Sequence, residues 1–388
     1  DAPPHLTNVY KSNGKTCQYA TAMKIPHIEL FRWLLNNHER ADYVLAFSKM
    51  KGLSKREYDE LVRYDPGPNL DLGRGDHYGA DEFKDVLAKM YDCGLDNIVT
   101  ASGGTEANFL VFLSMLDKGD EFIIEQPGYQ PMWLTPQMLG ARKVQWLRRF
   151  EGGFQLDIEV LEGLITDKTK LVVLTNPHNP TGVMADRESD IGKLAEIAQE
   201  KGIYVLIDEI FLDGAFVPQD SAYGLPNVII TSSMTKVYGL GGQRTGWVIA
   251  PPEIASECQY AKAHTNASSS YVGEMMNAHA LRNARKLLVQ KFNNLSASNF
   301  RVVSEWMQAN MDIVEWVTPH GGIMCFPRYK VDMSSIELCH KLLDDHGVMV
   351  NPGEYFDMDG HIRLSYACPE DVLRSGLDAL GSGLKELS

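Results

Sequence analysis

The sequence predicts an α/β protein with two parts: a large domain whose mostly parallel seven-stranded sheet lies between helices, and a smaller α+β domain. From about residue 80 onward, short apolar runs that end in loops alternate with helical periods, as in a parallel sheet covered by helices. After Pro251 and Pro252 the pattern changes to long helical segments followed by short β-like pieces. A chain of 388 residues also exceeds what one hydrophobic core usually serves.

Seven apolar runs are the candidate strands of the large sheet. They lie at residues 96–100, 121–125, 143–147, 171–175, 204–208, 227–231 and 246–250. Two helices are predicted between these strands. The first covers residues 105–116 and begins after two glycines, and the second covers residues 187–201 and ends at Gly202, a typical C-terminal glycine cap.

The second domain is predicted from the text after residue 252. Helical sequence continues to about residue 311, and two β-like pieces, VEWVTPHGGIMCFPRY and HIRLSYA, then flank an amphipathic helix before a closing helix at 369–387. The helix-rich segment 28–63 is expected to pack against this part. We therefore predict a large domain at 51–270 and a small domain built from both termini, 1–50 and 271–388.

Composition excludes several classes of protein. Hydrophobic residues at 44% and charged residues at 23% are typical of a compact globular chain. A net charge of −14 opposes broad binding to nucleic acid or anionic lipid. Uncharged windows such as 126–140 fall short of the roughly 18 apolar residues of a membrane span, and DAPPHLTNVYKSNGK lacks an apolar signal-peptide core. We expect a cytoplasmic protein whose six scattered cysteines are reduced thiols and which has no metal site.

Lys236 follows the apolar run NVIITS and precedes the glycine-rich VYGLGGQRTGW. An unpaired ammonium at the end of a buried strand is costly to desolvate, so its pKa falls. A lysine with a lowered pKa is a nucleophilic amine suited to a Schiff base. A surface lysine in a strand-to-loop turn is the alternative, and the residue alone does not decide between the two.

Two glycine-rich segments are candidate phosphate sites. Arg244 lies among glycines that let backbone approach a ligand, and arginine binds phosphate in a bidentate manner. Gly103, Gly104 and Thr105 begin a predicted helix, whose free N–H groups and dipole favour a phosphate. Ordinary turn chemistry also explains a diglycine before a helix. The segment lacks the GxGxxG and GxxxxGK[ST] spacings of nucleotide-binding loops.

Two other candidate strands end in polar residues. Asp208 closes the strand of YVLIDEIF, at the carboxyl edge where such sheets bind ligands, and could hold a protonated ring nitrogen. A helix N-cap is the alternative for this aspartate. The stretch LVVLTNPHNPTGV, which contains Asn179, has two Asn-Pro steps directly after a buried strand. A generic turn seldom needs both.

Together these motifs resemble the fold-type-I pyridoxal-5′-phosphate (PLP) enzymes of the aspartate-aminotransferase superfamily, class I/II. Four separated motifs agree in order and spacing: GGTEA, NPHNPTG, the Asp of LIDE, and SSMTKVYGLGGQRTGW. HIRLSYA is a fifth. The resemblance covers nearly the whole chain after about residue 70.

The resemblance implies a role for each residue. Lys236 matches the lysine that forms the Schiff base with PLP and moves the substrate proton, and Asp208 matches the carboxylate paired with the pyridinium nitrogen. Arg363 matches the clamp for the substrate α-carboxylate, and Asn179 matches the amide that contacts the cofactor's phenolic oxygen and the substrate. The remaining cofactor-binding residues are the phosphate group of Gly103, Gly104, Thr105, Ser233 and Arg244, and the ring-stacking Tyr129.

Two departures from the family pattern are visible. Phe211 stands where the family commonly has a tyrosine, so one hydrogen bond to the phenolic oxygen is missing and the Schiff base is expected to titrate at higher pH. Arg74 stands near the place of a tyrosine that reaches the partner subunit's phosphate, and Tyr78 is a second candidate for that contact. A solvated loop arginine is the alternative for Arg74.

The resemblance implies transamination, in which an amino group moves from an L-amino acid to a 2-oxo acid with ping-pong kinetics. The same residues serve other outcomes, so fold and cofactor do not determine the reaction. A β-eliminating carbon–sulfur lyase and a ring-closing enzyme of the aminocyclopropane-carboxylate-synthase kind are the alternatives. A cofactor-sensing regulator is a remote one, disfavoured by the acidic charge.

Substrate specificity is less determined. The stretch HTNASSSYVGE offers no arginine where enzymes for dicarboxylic substrates often supply one from the partner, which favours a neutral or aromatic substrate. Since the family shares its site across subunits, a homodimer is expected. The residues that could still meet a distal carboxylate are Lys24, Lys49, Lys262 and His264. The N-terminal aromatics, expected to pack rather than line the pocket, are Tyr19, Phe31 and Trp33.

Overall fold

The computed structural model describes residues 25–67 and 71–388. The helices are α1 (Glu29–Asn37), α2 (Lys55–Val62), α3 (Asp81–Tyr91), α4 (Gly104–Met115), α5 (Pro131–Met138), α6 (Ile158–Leu164), α7 (Gly192–Lys201), α8 (Pro252–Lys262), α9 (Tyr271–Ala309), α10 (Ser335–His346) and α11 (Glu370–Leu387). The strands are β1 (Tyr43–Val44), β2 (Ile98–Ala101), β3 (Glu121–Gln126), β4 (Arg142–Leu147), β5 (Thr169–Thr175), β6 (Tyr204–Asp208), β7 (Val228–Ser233), β8 (Gly246–Ile249), β9 (Val314–Glu315), β10 (Met324–Cys325), β11 (Arg328–Tyr329), β12 (Val348–Met349), β13 (Asn351–Pro352) and β14 (Ile362–Ser365).

The seven predicted strands form one sheet, which confirms the fold class. Its order is β2-β8-β7-β6-β5-β3-β4, and all neighbours are parallel except β8, which is antiparallel to both of its partners. The predicted start of the first strand was two residues early. Leu95–Asn97 forms a 3-10 turn instead, in which the Asn97 amide donates to the Ala250 carbonyl and accepts from Gly94 N–H.

Helices cover both faces of the sheet because its strands bury apolar side chains on both sides. Along β3, Phe122 and Ile124 pack with α4, α5 and α8, whereas Ile123 packs with α2, α3, α6, α7 and the first part of α9. The expectation that all of 28–63 packs on the small domain was therefore wrong for α2. Tyr58 and Val62 of that helix lie in the large-sheet core.

A second core lies beside the sheet and draws on both ends of the chain. It joins α1, α10, α11 and the last part of α9 to short strand pairs, including β1 with β12 and β13 with β14. The 39-residue helix α9 contributes to both cores, with Leu288 in the first and Phe292 in the second. The domain boundaries near residues 50 and 270 stay a prediction, since α9 joins the two cores without interruption.

Two expectations from composition concern the described residues. None of their helices is long and apolar enough to cross a bilayer. Their five cysteines are free thiols, and three of them are buried: Cys258, Cys325 and Cys339. Cys17 lies outside the described residues.

Candidate active site

A cavity of about 380 Å³ opens at the carboxyl ends of the parallel strands, between the sheet and α1. Eight of the ten predicted site residues line it. They are Gly104, Thr105, Tyr129, Asn179, Asp208, Lys236, Arg244 and Arg363. The other two lie directly behind this wall: a Cβ placed on Gly103 would collide with the Arg244 guanidinium, and Ser233 Oγ lies 3.7 Å from a Cβ placed on Gly104.

Lys236 follows β7 and extends into the cavity, where its Nζ donates to Ser48 Oγ at 3.1 Å. Burial, together with the positive charges of Arg363 and Lys49, lowers the pKa of this amine to about 7 against the raising effect of Asp208. An amine with this pKa is largely neutral at slightly alkaline pH and can act as nucleophile or base. The geometry thus favours a half-buried, reactive lysine over the surface alternative.

Asp208 ends β6 and is held by two donors. The Asn108 amide donates to Oδ2 at 2.9 Å, and the backbone N–H of Ile210 donates to Oδ1 at 3.0 Å. Burial raises the pKa of this carboxyl to about 6, against the lowering effect of these bonds and of Lys236. Asp208 does not cap a helix, because the 3-10 turn that follows begins only at Leu212. The carboxylate is therefore available to a cation in the cavity.

Sequence reasoning missed Asn108, which lies one turn after Gly104 on α4. Its amide joins Asp208 to the Thr231 hydroxyl, which donates to Asn108 Oδ1 at 2.5 Å. This bridge connects the helix that begins the phosphate site to the ends of β6 and β7. The only signal for it was a polar residue directly before the apolar run FLVFL of that helix.

The candidate phosphate site is the N-terminus of α4 with Arg244 beside it. Gly103 has a φ of 87°, which favours glycine, and the Arg244 Nη2 donates to the Ser102 carbonyl at 2.8 Å. Arg244 is exposed toward the cavity, and Thr235 and Thr105 add hydroxyls to the same wall. Free N–H groups, hydroxyls and a guanidinium suit a phosphate ester.

Arg363 on β14 is 2% exposed and faces the cavity from the opposite side. Its Nη1 donates to Asn179 Oδ1 at 3.1 Å and its Nη2 to the Ala46 carbonyl at 2.9 Å. Its Nε has no partner among the described residues. Burial lowers the pKa of this guanidinium to about 10, so it remains a cation at neutral pH. A buried cation with an unused donor is suited to an anionic ligand.

These groups fit PLP. The phosphate site, a carboxylate for the ring nitrogen, a reactive amine and the aromatic Tyr129 all share one cavity, and Arg363 leaves a donor over for a substrate carboxylate. Phe211 is fully buried on the same wall, and the Lys236 Nζ lies 5.8 Å from its ring centre. Its ring offers no hydroxyl to the phenolic oxygen, as the sequence predicted.

The residues that were candidates for binding a distal carboxylate differ in whether they line the cavity. Lys49 lines the cavity. Lys262 does not: it is fully buried, and its Nζ donates to Thr100 Oγ1 at 3.0 Å. His264 is exposed and forms no part of the cavity wall in the described chain. The burial of Lys262 therefore counts against it, contact of His264 with a distal carboxylate stays a prediction, and Lys24 lies outside the described residues.

The N-terminal aromatics also divide. Trp33 packs in the core and donates from Nε1 to the Val350 carbonyl at 2.9 Å, as expected. Phe31, in contrast, lines the cavity with its ring centre 6.4 Å from that of Tyr129, so the expectation of packing alone was wrong. Tyr19 lies outside the described residues.

Arg74 and Tyr78 lie on the surface away from the cavity. The Arg74 Nη1 donates to the Tyr271 hydroxyl at 3.2 Å, and the guanidinium lies 4.5 Å above the Tyr271 ring. Tyr78 is 64% exposed. Contact of either residue with a partner's cofactor stays a prediction.

Comparison with known proteins identifies the family. The model of the family described as aminotransferase class I and II matches residues 72–380. A capreomycidine synthase from Streptomyces vinaceus is 30% identical over 341 residues, 86% of this chain and 84% of that protein. An aspartate aminotransferase from Thermotoga maritima is 28% identical over 320 residues, 79% of this chain and 81% of that protein.

Solved structures agree with this assignment. A PLP-dependent aminotransferase from Streptococcus suis 89-1591 superposes with a TM-score of 0.87 at 28% identity, covering 94% of this chain and 99% of that one. The PLP-dependent cyclase OrfR shares the fold, with a TM-score of 0.86 at 23% identity over 96% of this chain and all of that one. The chain therefore belongs to the aminotransferase class I and II family and is a PLP-dependent enzyme.

Proposed function

We propose that this enzyme is an aminotransferase that moves an amino group from an L-amino acid to a 2-oxo acid by a ping-pong mechanism. The observation that carries the proposal is the presence, in one cavity, of an amine with a pKa of about 7 and a buried guanidinium. Lys236 can then serve as the positioned base, and Arg363 as the clamp for an α-carboxylate. Transamination requires one group that moves a proton and one that orients the substrate.

The chain's own residues have separable tasks in this reaction. PLP, when bound, supplies the electron sink that makes the substrate Cα–H acidic. Arg363 binds the α-carboxylate and so holds Cα in place. Lys236 Nζ accepts the proton that leaves Cα. Once protonated, it donates that proton to the carbon atom on the other side of the substrate nitrogen. Asp208, with a pKa of about 6, is mainly a carboxylate at neutral pH and can accept a hydrogen bond from a protonated ring nitrogen.

We infer that the amino donor has a neutral, largely apolar side chain. The described part of the wall that lies away from the phosphate site is mostly hydrocarbon, and Lys49 is the charged side chain there that has no role in the mechanism. A polar side chain would lose water against such a surface without gaining partners. The apolar residues of this wall are Leu30, Phe31, Leu34, Leu35, Phe47 and Phe211.

A panel of amino donors with 2-oxoglutarate and pyruvate tests the proposal. The cofactor's absorbance is followed in each half-reaction. We expect apolar donors to change the spectrum without any acceptor, and an oxo acid to restore it. Release of ammonia in the absence of an oxo acid acceptor would contradict transamination and support the β-eliminating lyase.

Ring closure is the second candidate function. One relative is named a capreomycidine synthase and one protein of the same fold a cyclase, and Lys49 adds a second amine to the cavity wall. A cyclase would consume a donor with no oxo acid and give a product that keeps the substrate nitrogen. Mass spectrometry of the product separates this outcome from both transamination and elimination.

We also propose a homodimer and keep the cytoplasmic location as a prediction. The exposed Tyr78 and Tyr260 line one surface depression of the large domain, outside the cavity, and offer apolar area to a second copy. Light scattering of the holoenzyme tests this. A monomer with full activity would contradict the dimer.

A further inference from the structure

A buried ion pair lies one layer behind the cavity wall and has no part in the reaction described above. Glu125, near the end of β3, and Arg148, just after β4, are 3% and 1% exposed. Glu125 Oε2 and Arg148 Nη1 are 2.7 Å apart. Removing two charges from water costs free energy, so a pair of this kind is weak evidence for stability. Its position relative to the cavity suggests another role.

The second oxygen of the same carboxylate holds a third strand. Glu125 Oε1 accepts the backbone N–H of Thr175 at 2.6 Å. Thr175 ends β5, lines the cavity and leads within four residues to Asn179. One carboxylate therefore joins the ends of β3, β4 and β5 at the edge where the site is built.

His178 connects the two turns that follow these strands. Its Nε2 lies 2.8 Å from the Pro127 carbonyl oxygen and its Nδ1 2.7 Å from Thr181 Oγ1. Because a carbonyl only accepts, Nε2 carries the proton, and Nδ1 accepts from the Thr181 hydroxyl. Burial, together with the nearby charge of Arg148, holds the pKa of His178 well below its usual value, so the imidazole is neutral in this one tautomer.

The two turns carry residues on opposite sides of the proposed cofactor site. Pro127 stands two residues before Tyr129, and Thr181 stands two residues after Asn179. The fully buried imidazole of His178 therefore acts as a strut of fixed length between them. Contacts to a reacting group must be held within about 0.5 Å, and a misplacement of about 1 Å can cost 10²-fold in rate.

We propose that Glu125, Arg148 and His178 are positioning residues that fix the separation of Tyr129 and Asn179 across the cavity, and with it the orientation of bound PLP. This inference rests on the roles proposed for those two residues. It does not depend on which reaction the enzyme performs.

Thr181→Val and Thr181→Ser form the matched pair that tests the strut. Valine keeps the volume and removes the hydroxyl, which donates to His178 Nδ1 and accepts from the Val183 backbone N–H, whereas serine keeps both hydrogen bonds. For the holoenzyme without substrate, we expect the visible circular dichroism of bound PLP to fall by about half or more in the valine variant and to stay near wild type in the serine variant. In turnover, kcat should fall about 10- to 100-fold with KM for the donor within about threefold, since Arg363 keeps its hydrogen bond to the Ala46 carbonyl.

A second pair of variants separates positioning from stability. Glu125→Gln leaves Arg148 uncompensated, and Glu125→Gln with Arg148→Met removes both charges. We expect the double variant to recover thermal stability toward wild type while the cofactor's circular dichroism and kcat stay low. A purely structural role predicts that all three recover together.

Two results would overturn the proposal: wild-type circular dichroism and kcat in Thr181→Val, or their recovery in the double variant. If Glu125→Gln does not fold, the Thr181 pair still decides. The dichroism needs no substrate. A wild-type enzyme that failed to transaminate would therefore contradict the proposed function and leave the test of the strut intact.

Discussion

Replacement of Arg363 by lysine tests the substrate site most directly. The guanidinium uses Nη1 and Nη2 for Asn179 and Ala46, and its planar fork has donors left for a ligand. A lysine ammonium keeps the charge but cannot reach both fixed acceptors and a carboxylate at once. The variant should therefore lose about one charged hydrogen bond to the substrate while the wall of the cavity stays in place.

The magnitude follows from that single bond. A hydrogen bond to a charged group contributes about 1.5–3 kcal/mol. At tenfold per 1.36 kcal/mol, kcat/KM should fall about 13- to 160-fold. Arg363→Met also removes the charge, and the loss of one member of a buried charged pair costs about 2–5 kcal/mol, so the fall should reach about 30- to 5,000-fold.

The assay is kcat/KM for the best donor of the panel, measured at neutral pH, where Arg363 is a cation because its pKa is about 10. Lys49→Met is the matched control, since it removes another cation from the same wall. A primary amine without a carboxylate should lose no more than about threefold in the lysine variant. If the lysine variant stays within about threefold of wild type for an amino acid, Arg363 is not the clamp.

Three further predictions concern other residues of the cavity. Phe211→Tyr places a hydroxyl on the cavity wall and should lower the pH midpoint of the bound cofactor's absorbance change by about one unit, which is the equivalent of one net hydrogen bond. An unchanged midpoint would count against a missing hydrogen bond to the phenolic oxygen. Lys49→Met should leave KM for apolar donors within about twofold and raise KM for acidic donors several-fold, because the variant loses the free energy of about one exposed ion pair. Equal effects on both classes of donor would contradict a role of Lys49 in specificity. Lys236 has a pKa of about 7 in the folded protein against an ordinary lysine pKa of 10.5, so the unfolded chain holds its proton to higher pH. Urea unfolding of the cofactor-free protein should show that wild type is less stable than Lys236→Met below pH 7, by no more than about 5 kcal/mol in the free energy of unfolding. This difference should disappear as the pH rises from 7 to 10.5. A difference that does not depend on pH would refute the lowered pKa of the amine.

The large sheet could be predicted from the sequence because most of its strands are apolar runs closed by turn residues. Predicted and observed strand bounds differ by at most two residues, and the error before Ile98 arose where Asn97 satisfies a turn with its side chain. The local pattern of apolar and turn residues was therefore enough to place the strands. The residues of the candidate site likewise lay in motifs of contiguous sequence.

The rest depended on contacts between distant parts of the chain. Asn108 meets Asp208 across 100 residues, and Lys236 meets Ser48 across 188. Phe31 lies at the cavity because α1 packs beside it, which its helical period could not show. Lys262 looked available in the sequence, yet its helix turns it into the protein toward Thr100. Periodicity identifies a buried face but not the neighbour that covers it.

The bond between Arg363 and the carbonyl of Ala46 joins positions 317 residues apart. The backbone N–H of Ser365 donates to the Leu45 carbonyl at 2.8 Å and so connects the same two segments. On the ribosome, the sheet is complete once Ile249 has emerged, and the amine, the phosphate site and Asp208 are then all present. Arg363, the proposed substrate clamp, is synthesised more than one hundred residues after Ile249 and contacts a segment that was synthesised long before it. The side chains that face the proposed cofactor site thus precede Arg363 in the order of synthesis, and this side of the cavity is complete only when the segments around Ala46 and Arg363 meet.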